Sequence, residues 1–281
     1  MLTDHALNDV VLVMDTVHGF DLSVFDESFV QKAVGNRCTA KEIKTFPEYI
    51  TYLSNNMLEA KALVDSLNIN HTDFFRNSLV FANLEQWILP KLVEQKSGSG
   101  ELRIWSAGCS SGQEPYSAAM LLDEYSKTSG KALRYRIIAT DISQTALETA
   151  NKGEYNEDAV QNIRGRQLKE YFTKKGNLYG ISPRLKEHIN FSAYDLLDKN
   201  SLHPHESIFG NFDIVFCSNV LFYYRPEPQR YILQKLIRSM NKDGYLITGE
   251  AEMSLVLNKD GLQTAAPPAP IFMKSRIGDL R

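Results

Sequence analysis

A glycine- and serine-rich segment, WSAGCSSGQEPY over residues 105–116, has the composition of a ligand-binding loop. It lies between an apolar run, ELRIWSAG, that predicts a buried strand and a run that predicts a helix. In open parallel sheets, ligands bind beyond the carboxyl ends of the strands, where Gly108 and Gly112 would let the backbone approach a ligand closely. The sequence lacks the phosphate-loop ending Gly-Lys-Ser/Thr, which argues against a nucleoside triphosphate. A tight turn without a ligand is the alternative.

A second candidate is Asp141, at the end of the apolar run YRIIATDIS. An acidic residue in this position can accept hydrogen bonds from both ribose hydroxyls of an adenosine cofactor. The alternative is a helix N-cap, because Asp141 and Ser143 precede the helical pattern QTALETA.

A third polar cluster lies in FCSNVLFYY, where Asn219, Val220 and Tyr223 follow an apolar strand. Amino-methyltransferases of DNA carry Asn-Pro-Pro-Tyr in the equivalent place. Both prolines are missing here, which argues against a nucleobase amine as the acceptor. On the residues alone, the favoured interpretation of Tyr223 is a half-buried aromatic side chain that packs under a loop.

A doubly wound, mostly parallel α/β sheet would bring these segments together, and strands alternate with helices over residues 100–281 except at one insert. Apolar spacing predicts an all-helical region over 1–80, with helices that end near Gly19, Gly35 and Asn70. Residues 81–99 are predicted as a helix and linker, interrupted at Pro90 and closed by the hinge KSGSGE. The helix that begins at PEPQ is predicted to end at Gly244, and PIFMKSR is predicted as a final edge strand.

A small basic insert with short antiparallel strands is predicted at about residues 162–190 of the main domain. Two glutamates oppose its seven cations, which are Arg164, Arg166, Lys169, Lys174, Lys175, Arg184 and Lys186. A solvated charged face is the alternative to a binding surface.

Composition excludes several classes of protein. The chain has a net charge of −3, and its residues up to Glu94 carry 7 Lys and Arg against 13 Asp and Glu. Neither part is basic enough for a nucleic-acid binder, and no apolar run is long enough for membrane insertion. The three cysteines have neither disulfide-framework nor metal-site spacing, so we expect no metal and a cytoplasmic location.

The motifs together resemble the CheR family of chemotaxis methyltransferases, which transfer a methyl group from S-adenosylmethionine to glutamate side chains of chemoreceptors. The resemblance covers roughly residues 60–255. It is carried by five motifs that occur in the family's order: NINHTDFFR, RIWSAGCSSGQEPYS, IIATDIS, AYDLL and DIVFCSNVLFYY. It implies a class I, Rossmann-like methyltransferase fold with a helical N-terminal domain, and a role in signal transduction.

The resemblance also implies roles for individual residues. Asp141 would bind the cofactor's ribose, and Asp195 and Leu196 would flank its adenine. Arg76 would orient the acceptor carboxylate and Tyr223 would position the acceptor or the methyl group, although Arg76 could instead pair with Asp73. The full implied cofactor-binding set is Asn70, Thr72, Arg76, Ala107, Gly108, Glu114, Asp141, Asp195, Leu196, Asn219 and Val220.

Two departures and several alternatives stay open. The family's Gly-His-Ser-Glu reads Gly-Glu-Ala-Glu here, with Glu250 in place of the histidine. The acidic N-terminal region leaves only a local basic face for a receptor, at Lys32, Arg37, Lys41 and Lys44. In some family members the insert docks a C-terminal receptor peptide. The alternatives are a methyltransferase for another carboxylate or small molecule, a non-catalytic module that senses S-adenosyl compounds and, least favoured, an oxidoreductase.

Overall fold

The computed structural model describes residues 4–67, 72–96, 100–207, 210–257 and 261–274. The chain divides into two compact units. One comprises Met1–Ile69 with Phe222–Arg230, and the other comprises Asn70–Leu221 with Tyr231–Arg281.

The first unit is helical, as the sequence predicts. Its helices are α1 (Asp4–Thr16), α2 (Glu27–Ala40), α3 (Phe46–Ser54) and α4 (Met57–Leu67). The predicted helix end at Gly35 is wrong, because α2 continues to Ala40. Asp26 caps its first turn, and Val30, Ala33, Val34 and Cys38 bury one face of it. That burial outweighs the roughly 1 kcal/mol that a glycine costs in a helix.

A buried carboxylate organises the polar contacts of this unit. Glu59 is 2% exposed, and the Arg37 guanidinium donates to both its oxygens at 2.8 and 2.7 Å. Tyr49 Oη adds a third hydrogen bond at 3.1 Å, and Lys41 Nζ lies 3.5 Å away. Two of the four cations in the predicted basic face therefore neutralise Glu59.

The second unit contains a seven-stranded sheet in the order β6-β2-β1-β7-β8-β10-β9. The first five strands of this order are parallel to one another, whereas β10 is antiparallel to both of its neighbours, β8 and β9. The strands are β1 (Leu102–Ala107), β2 (Tyr135–Asp141), β6 (Ile189–Ala193), β7 (Phe212–Cys217), β8 (Met240–Thr248), β9 (Leu262–Thr264) and β10 (Ile271–Lys274). This arrangement confirms the doubly wound, mostly parallel fold. The strand order reverses between β1 and β7, which is where such sheets bind ligands.

The helices of this unit precede, connect and flank the strands. They are α5 (Ser78–Asn83), α6 (Leu89–Gln95), α7 (Gln113–Ser129), α8 (Gln144–Lys152), α9 (Glu157–Val160), α10 (Gly165–Tyr171), α11 (Pro183–Lys186), α12 (Pro226–Ser239) and α13 (Met253–Val256), and the first five residues of α12 belong to the first unit. A π-helical turn, Leu84–Ile88, joins α5 to α6, and Pro90 is the second residue of α6. Proline has no N–H to donate to the carbonyl four residues earlier, so the widened turn accommodates it.

The antiparallel insert is a three-stranded sheet in the order β3-β5-β4. Its strands are β3 (Glu154–Asn156), β4 (Phe172–Lys175) and β5 (Leu178–Ile181). The sheet therefore begins before residue 162.

Two sequence predictions at the end of the chain are wrong. Helix α12 ends at Ser239, before Gly244, because Met240 already pairs with Phe212 of β7. Asn241 Nδ2 then donates to the buried Asp213 at 2.5 Å, which draws these residues into β8. Strand β10 lies between β8 and β9, so the edge strand is β9.

Candidate active site

The loop after β1 supplies the backbone cradle of the site. Gly108 and Gly112 have φ values of 78° and 93°, which favour glycine. The N–H groups of Gly108 and Cys109 donate to the Thr140 carbonyl, at 2.8 and 2.9 Å. A Cβ on Gly108 would lie 2.6 Å from Val220 Cγ2. The structure thus brings the predicted glycine loop directly against the segment after β7.

Asp141 ends β2 and faces the same loop. Its carboxylate accepts the Ser110 N–H at 2.7 Å and the Ser143 N–H at 2.9 Å. The side chain that caps α8 is Ser143, whose Oγ accepts from Ala146 N, so the N-cap alternative applies to Ser143. Burial raises the Asp141 pKa, although backbone N–H donors oppose that shift. The neighbouring Ile142 is 56% exposed, an apolar surface that the sequence analysis did not single out.

Glu114 occupies the first turn of α7, and the side chain of Ser106 donates to its Oε1 at 2.6 Å. Burial raises the pKa of Glu114 to about 7, while hydrogen bonds from Ser106 and Ser218 oppose the shift. The charge of Glu252 raises this pKa further and the charge of Arg76 lowers it. The predicted residues Glu114 and Arg76 therefore share one electrostatic environment.

Cofactor affinity should depend on pH through Glu114. If its carboxylate binds the cofactor's ammonium group, affinity for S-adenosylhomocysteine should fall about tenfold between pH 8 and pH 6, as a group of pKa about 7 becomes protonated. Calorimetric titration across this range would measure the change. Glu114→Gln should bind weakly with little pH dependence.

Stability should change in the opposite direction. The folded-state pKa of Glu114 lies above its ordinary value, so the folded protein favours the protonated form. The resulting stabilisation is present at low pH and is lost as the pH rises through about 7. For binding, the same pH dependence of S-adenosylhomocysteine affinity in wild type and Glu114→Gln would contradict the assignment of Glu114 to the cofactor's ammonium group.

Asn219 and Val220 follow β7, with Asn219 at a φ of 62°. The carboxylate of Glu252 holds this turn: it accepts the N–H groups of Asn219 at 2.8 Å and of Val220 and Leu221 at 2.6 Å each. Gly249 N donates a fourth hydrogen bond at 2.8 Å, and Glu252 is fully buried. No sequence motif assigns a function to Glu252, and the only signal in the sequence is its place in the Gly-Glu-Ala-Glu segment.

Glu250, the residue in place of the family's histidine, has a defined contact. Its Oε1 accepts a hydrogen bond from Asn77 Nδ2 at 3.1 Å, and Asn77 Oδ1 in turn caps α5 at Val80 N. Glu250 therefore ties the turn after β8 to the residue that follows Arg76.

The segment before α5 is partly described. Asn70 lies outside the described residues, whereas Thr72 is half-buried and Arg76 is exposed. Phe75 has a φ of 52°, and its N–H donates to Ser117 Oγ of α7 at 3.0 Å. This bond sets the backbone of the segment beside the helix that carries Glu114.

Asp195 and Leu196 lie in the turn after β6. Asp195 is exposed and its Oδ1 accepts Leu197 N at 2.8 Å, while Leu196 is buried. The turn is held from α12, where Lys235 Nζ and Tyr231 Oη donate to the Asp198 carbonyl at 2.5 and 2.9 Å.

Tyr223 belongs to the helical unit and is half-buried. Its ring lies 4.6 Å from the Phe29 ring, and its carbonyl accepts Asp26 N at 2.8 Å. These contacts fit the aromatic packing that the sequence analysis favoured for this residue.

The strand ends fit an adenosine-containing cofactor. They offer a cradle that a Cβ on Gly108 would fill, a carboxylate at Asp141 and the exposed apolar Ile142 beside it. Among the described residues, no group of three or more His, Cys, Asp and Glu side chains could hold a metal ion. Within the same ranges, no helix is long and apolar enough to cross a membrane.

Comparison with known proteins identifies the family. Residues 70–266 match the family model described as CheR methyltransferase, SAM binding domain. A chemotaxis protein methyltransferase of Borreliella burgdorferi is 33% identical over 89% of both chains, and one of Listeria monocytogenes is 32% identical over 88% of this chain and 89% of that protein. Chemotaxis protein methyltransferase 1 of Pseudomonas aeruginosa is 39% identical over 68% of both chains. The chain belongs to the CheR methyltransferase family and is an S-adenosylmethionine-dependent methyltransferase.

Proposed function

We propose that the enzyme methylates glutamate side-chain carboxylates of chemoreceptors. The observation that carries this proposal is an exposed cation, Arg76, whose charge lowers the pKa of Glu114, a partly buried carboxylate in the first turn of α7. An anionic acceptor suits this arrangement because a guanidinium binds a carboxylate through paired N–H donors. The similarity to proteins named chemotaxis protein methyltransferase over most of the chain supports a receptor as the source of that carboxylate.

The cofactor would be held at the ends of the parallel strands. S-adenosylmethionine supplies a methyl group made electrophilic by its sulfonium. Asp141 would accept hydrogen bonds from the ribose hydroxyls, and Glu114 would pair with the ammonium group. Backbone around Ala107 and Gly108 would approach the cofactor closely. The remaining proposed contacts are Asn70, Thr72, Arg76, Asp195, Leu196, Asn219 and Val220.

The residues of the site do not need to remove a proton from the acceptor. A glutamate carboxylate is already ionised near pH 7, so positioning is the main requirement. Burial raises the thiol pKa of Cys109 and Cys217 well above its ordinary value, and that of Cys38 also rises, so none of them suits a nucleophilic role. Arg76 would orient the acceptor carboxylate, and Tyr223 would position its second oxygen or the methyl group.

A receptor peptide would dock on the insert. Strand β4 is at the edge of the three-stranded sheet and carries the exposed Lys174 and Lys175. A free edge strand can pair with an extended peptide, and two lysines suit acidic groups on it. Arg184 is less suitable because it already pairs with Asp123 at 3.2 Å.

The basic face of the helical unit would contribute little to receptor binding. Arg37 and Lys41 pair with Glu59, which leaves Lys32 and Lys44 as its exposed lysines away from that carboxylate. The receptor's methylated region would therefore be held chiefly through the active site and the insert. A cytoplasmic location, which the cysteine usage favours, goes with this proposal.

Transfer of labelled methyl groups to a receptor cytoplasmic domain tests the proposal. Arg76→Ala should lower kcat/KM about a hundredfold, because a charged pair contributes a few kcal/mol to acceptor binding. Tyr223→Phe should lower turnover more modestly. Receptor glutamates replaced by alanine should accept no label, and the product should show the base lability of a methyl ester.

Arg136→Ala is the matched control, since Arg136 is an exposed arginine near the start of β2, at the opposite end of the strand from Asp141. It should retain wild-type turnover. Turnover within about threefold of wild type in both Arg76→Ala and Tyr223→Phe would refute these two roles, because a lost charged contact costs more than that.

A further inference from the structure

One side chain of the insert reaches the cofactor loop. Tyr155, on β3, is 4% exposed, and its hydroxyl donates to the Ser111 carbonyl at 2.7 Å. Ser111 lies between Ser110, whose N–H binds Asp141, and Gly112, the N-cap residue of α7. The hydrogen bond therefore fixes the part of the loop that faces the proposed ribose site.

The contact between Tyr155 and the loop is close-packed. A Cβ added to Gly112 would lie 2.9 Å from Ala150 Cβ and 3.1 Å from Tyr155 Oη. The phenol thus occupies the space that the glycine leaves. Because packed interiors transmit small displacements, a shift of β3 would move the loop.

The same ring supports the segment that carries Arg76. Phe74 is fully buried, and its ring meets that of Tyr155 edge-on at 4.9 Å and an interplanar angle of 84°. The ring of Phe172, on β4, meets Phe74 at 5.5 Å and 82°. The insert therefore contacts Phe74 from two of its strands, and Phe74 lies two residues before Arg76.

We propose that Tyr155 and Phe74 are positioning residues for the methyl transfer. Tyr155 holds the cofactor loop through Ser111, and Phe74 holds the backbone of Arg76 between β3 and β4. The insert would then set the geometry of cofactor and acceptor as well as offering an edge for a peptide. The Phe74 part rests on the proposed role of Arg76, whereas the Tyr155 part concerns only cofactor binding.

If Tyr155 and Phe74 are positioning residues, replacing Tyr155 should mainly change cofactor affinity and replacing Phe74 should mainly change turnover. A loss of ordinary core packing would not separate the two effects. Tyr155→Phe deletes one oxygen and keeps the ring, so the Kd of S-adenosylhomocysteine should rise about fivefold, as expected for one hydrogen bond. Its kcat at saturating cofactor should change less than about twofold. Phe74→Leu should lower kcat about tenfold through a misplaced Arg76, and its cofactor Kd should rise by a smaller factor, less than about threefold, because most of the proposed cofactor contacts lie elsewhere.

Tyr171→Phe is the matched control. Tyr171 is also fully buried and its hydroxyl also donates a 2.8 Å hydrogen bond, but the acceptor is Asp123 of α7. This variant should lose stability without changing the cofactor Kd. Thermal unfolding of every variant would show how much stability each one loses.

Parallel changes in cofactor Kd and kcat, both following the loss of stability, would overturn the proposal, as would unchanged values in both variants. If Phe74→Leu does not fold, Phe172→Leu tests the same ring from β4 and should lower kcat in the same way. If wild type binds S-adenosylhomocysteine but methylates no receptor, the proposed function fails while the Kd of Tyr155→Phe still decides the Tyr155 part.

Discussion

Replacing Asp141 with alanine should raise the Kd of S-adenosylhomocysteine by about a hundredfold or more. Hydrogen bonds to a charged group contribute about 1.5–3 kcal/mol each, and the ribose would offer two. The carboxylate also holds Ser110, a non-glycine residue at a φ of 49°, and Ser143 through their N–H groups. Its loss should therefore loosen the loop as well as remove the ribose acceptor. Calorimetry with wild type and variant measures the change.

Two variants identify the source of the effect. Asp141→Asn keeps the shape but has one acceptor oxygen, so it should bind more weakly than wild type and more tightly than Asp141→Ala. Ser143→Ala removes the cap of α8 and should cost about 1 kcal/mol of stability with little change in Kd. An Asp141→Ala Kd within threefold of wild type would place the ribose elsewhere, and absence of wild-type binding would sink the cofactor assignment.

Replacing Glu252 with alanine should remove about 3–5 kcal/mol of stability and abolish methyl transfer, because a buried anion would no longer satisfy four backbone donors. Those donors are the N–H groups of Gly249, Asn219, Val220 and Leu221. Asn219 adopts a positive φ and Val220 packs against Gly108, so the proposed cofactor pocket should lose one wall. Urea unfolding and turnover measure the two effects.

Glu250→Gln is the matched control because Glu250 belongs to the same short turn but is exposed. Its hydrogen bond with Asn77 can persist through the amide oxygen, and its stability should change by less than about 0.5 kcal/mol. Glu252→Gln, where it folds, should also lower the pKa of Glu114, since the Glu252 charge raises it. An unfolding free energy for Glu252→Ala within about 1 kcal/mol of wild type, with normal turnover, would contradict this account.

The strand ends could be predicted from the sequence because each end combines an apolar run with a change to small or polar residues. The runs that end at Ala107, Asp141 and Cys217 are β1, β2 and β7 in the structure. Local patterns were misleading where a partner strand overrides local preference. Met240–Gly244 has the pattern of a helix end, yet pairing with β7 and the bond to Asp213 make it part of β8.

The residues of the site also fall into two groups, those that the sequence indicated and those that only the folded structure shows. The sequence indicated Asp141 because it ends an apolar run that predicts a strand, and the family resemblance implied Glu114. Neither gave a reason to choose Glu252 or Tyr155, whose distant partners lie 31–33 and 44 residues away along the chain. Local patterns cannot report such contacts, since they depend on how distant segments pack.

The sequence by itself determined the family, the parallel α/β sheet and the loops proposed to bind the cofactor, because these follow from periodicity, glycine placement and motif order. Only the tertiary structure decided how those loops are held: one buried carboxylate at Glu252 supports the wall opposite Gly108, and one phenol at Tyr155 braces the loop that binds Asp141. It also decided the pKa of Glu114, which burial and the charge of Glu252 raise to about 7. These properties arise from desolvation and long-range contacts, which exist only once the chain has folded.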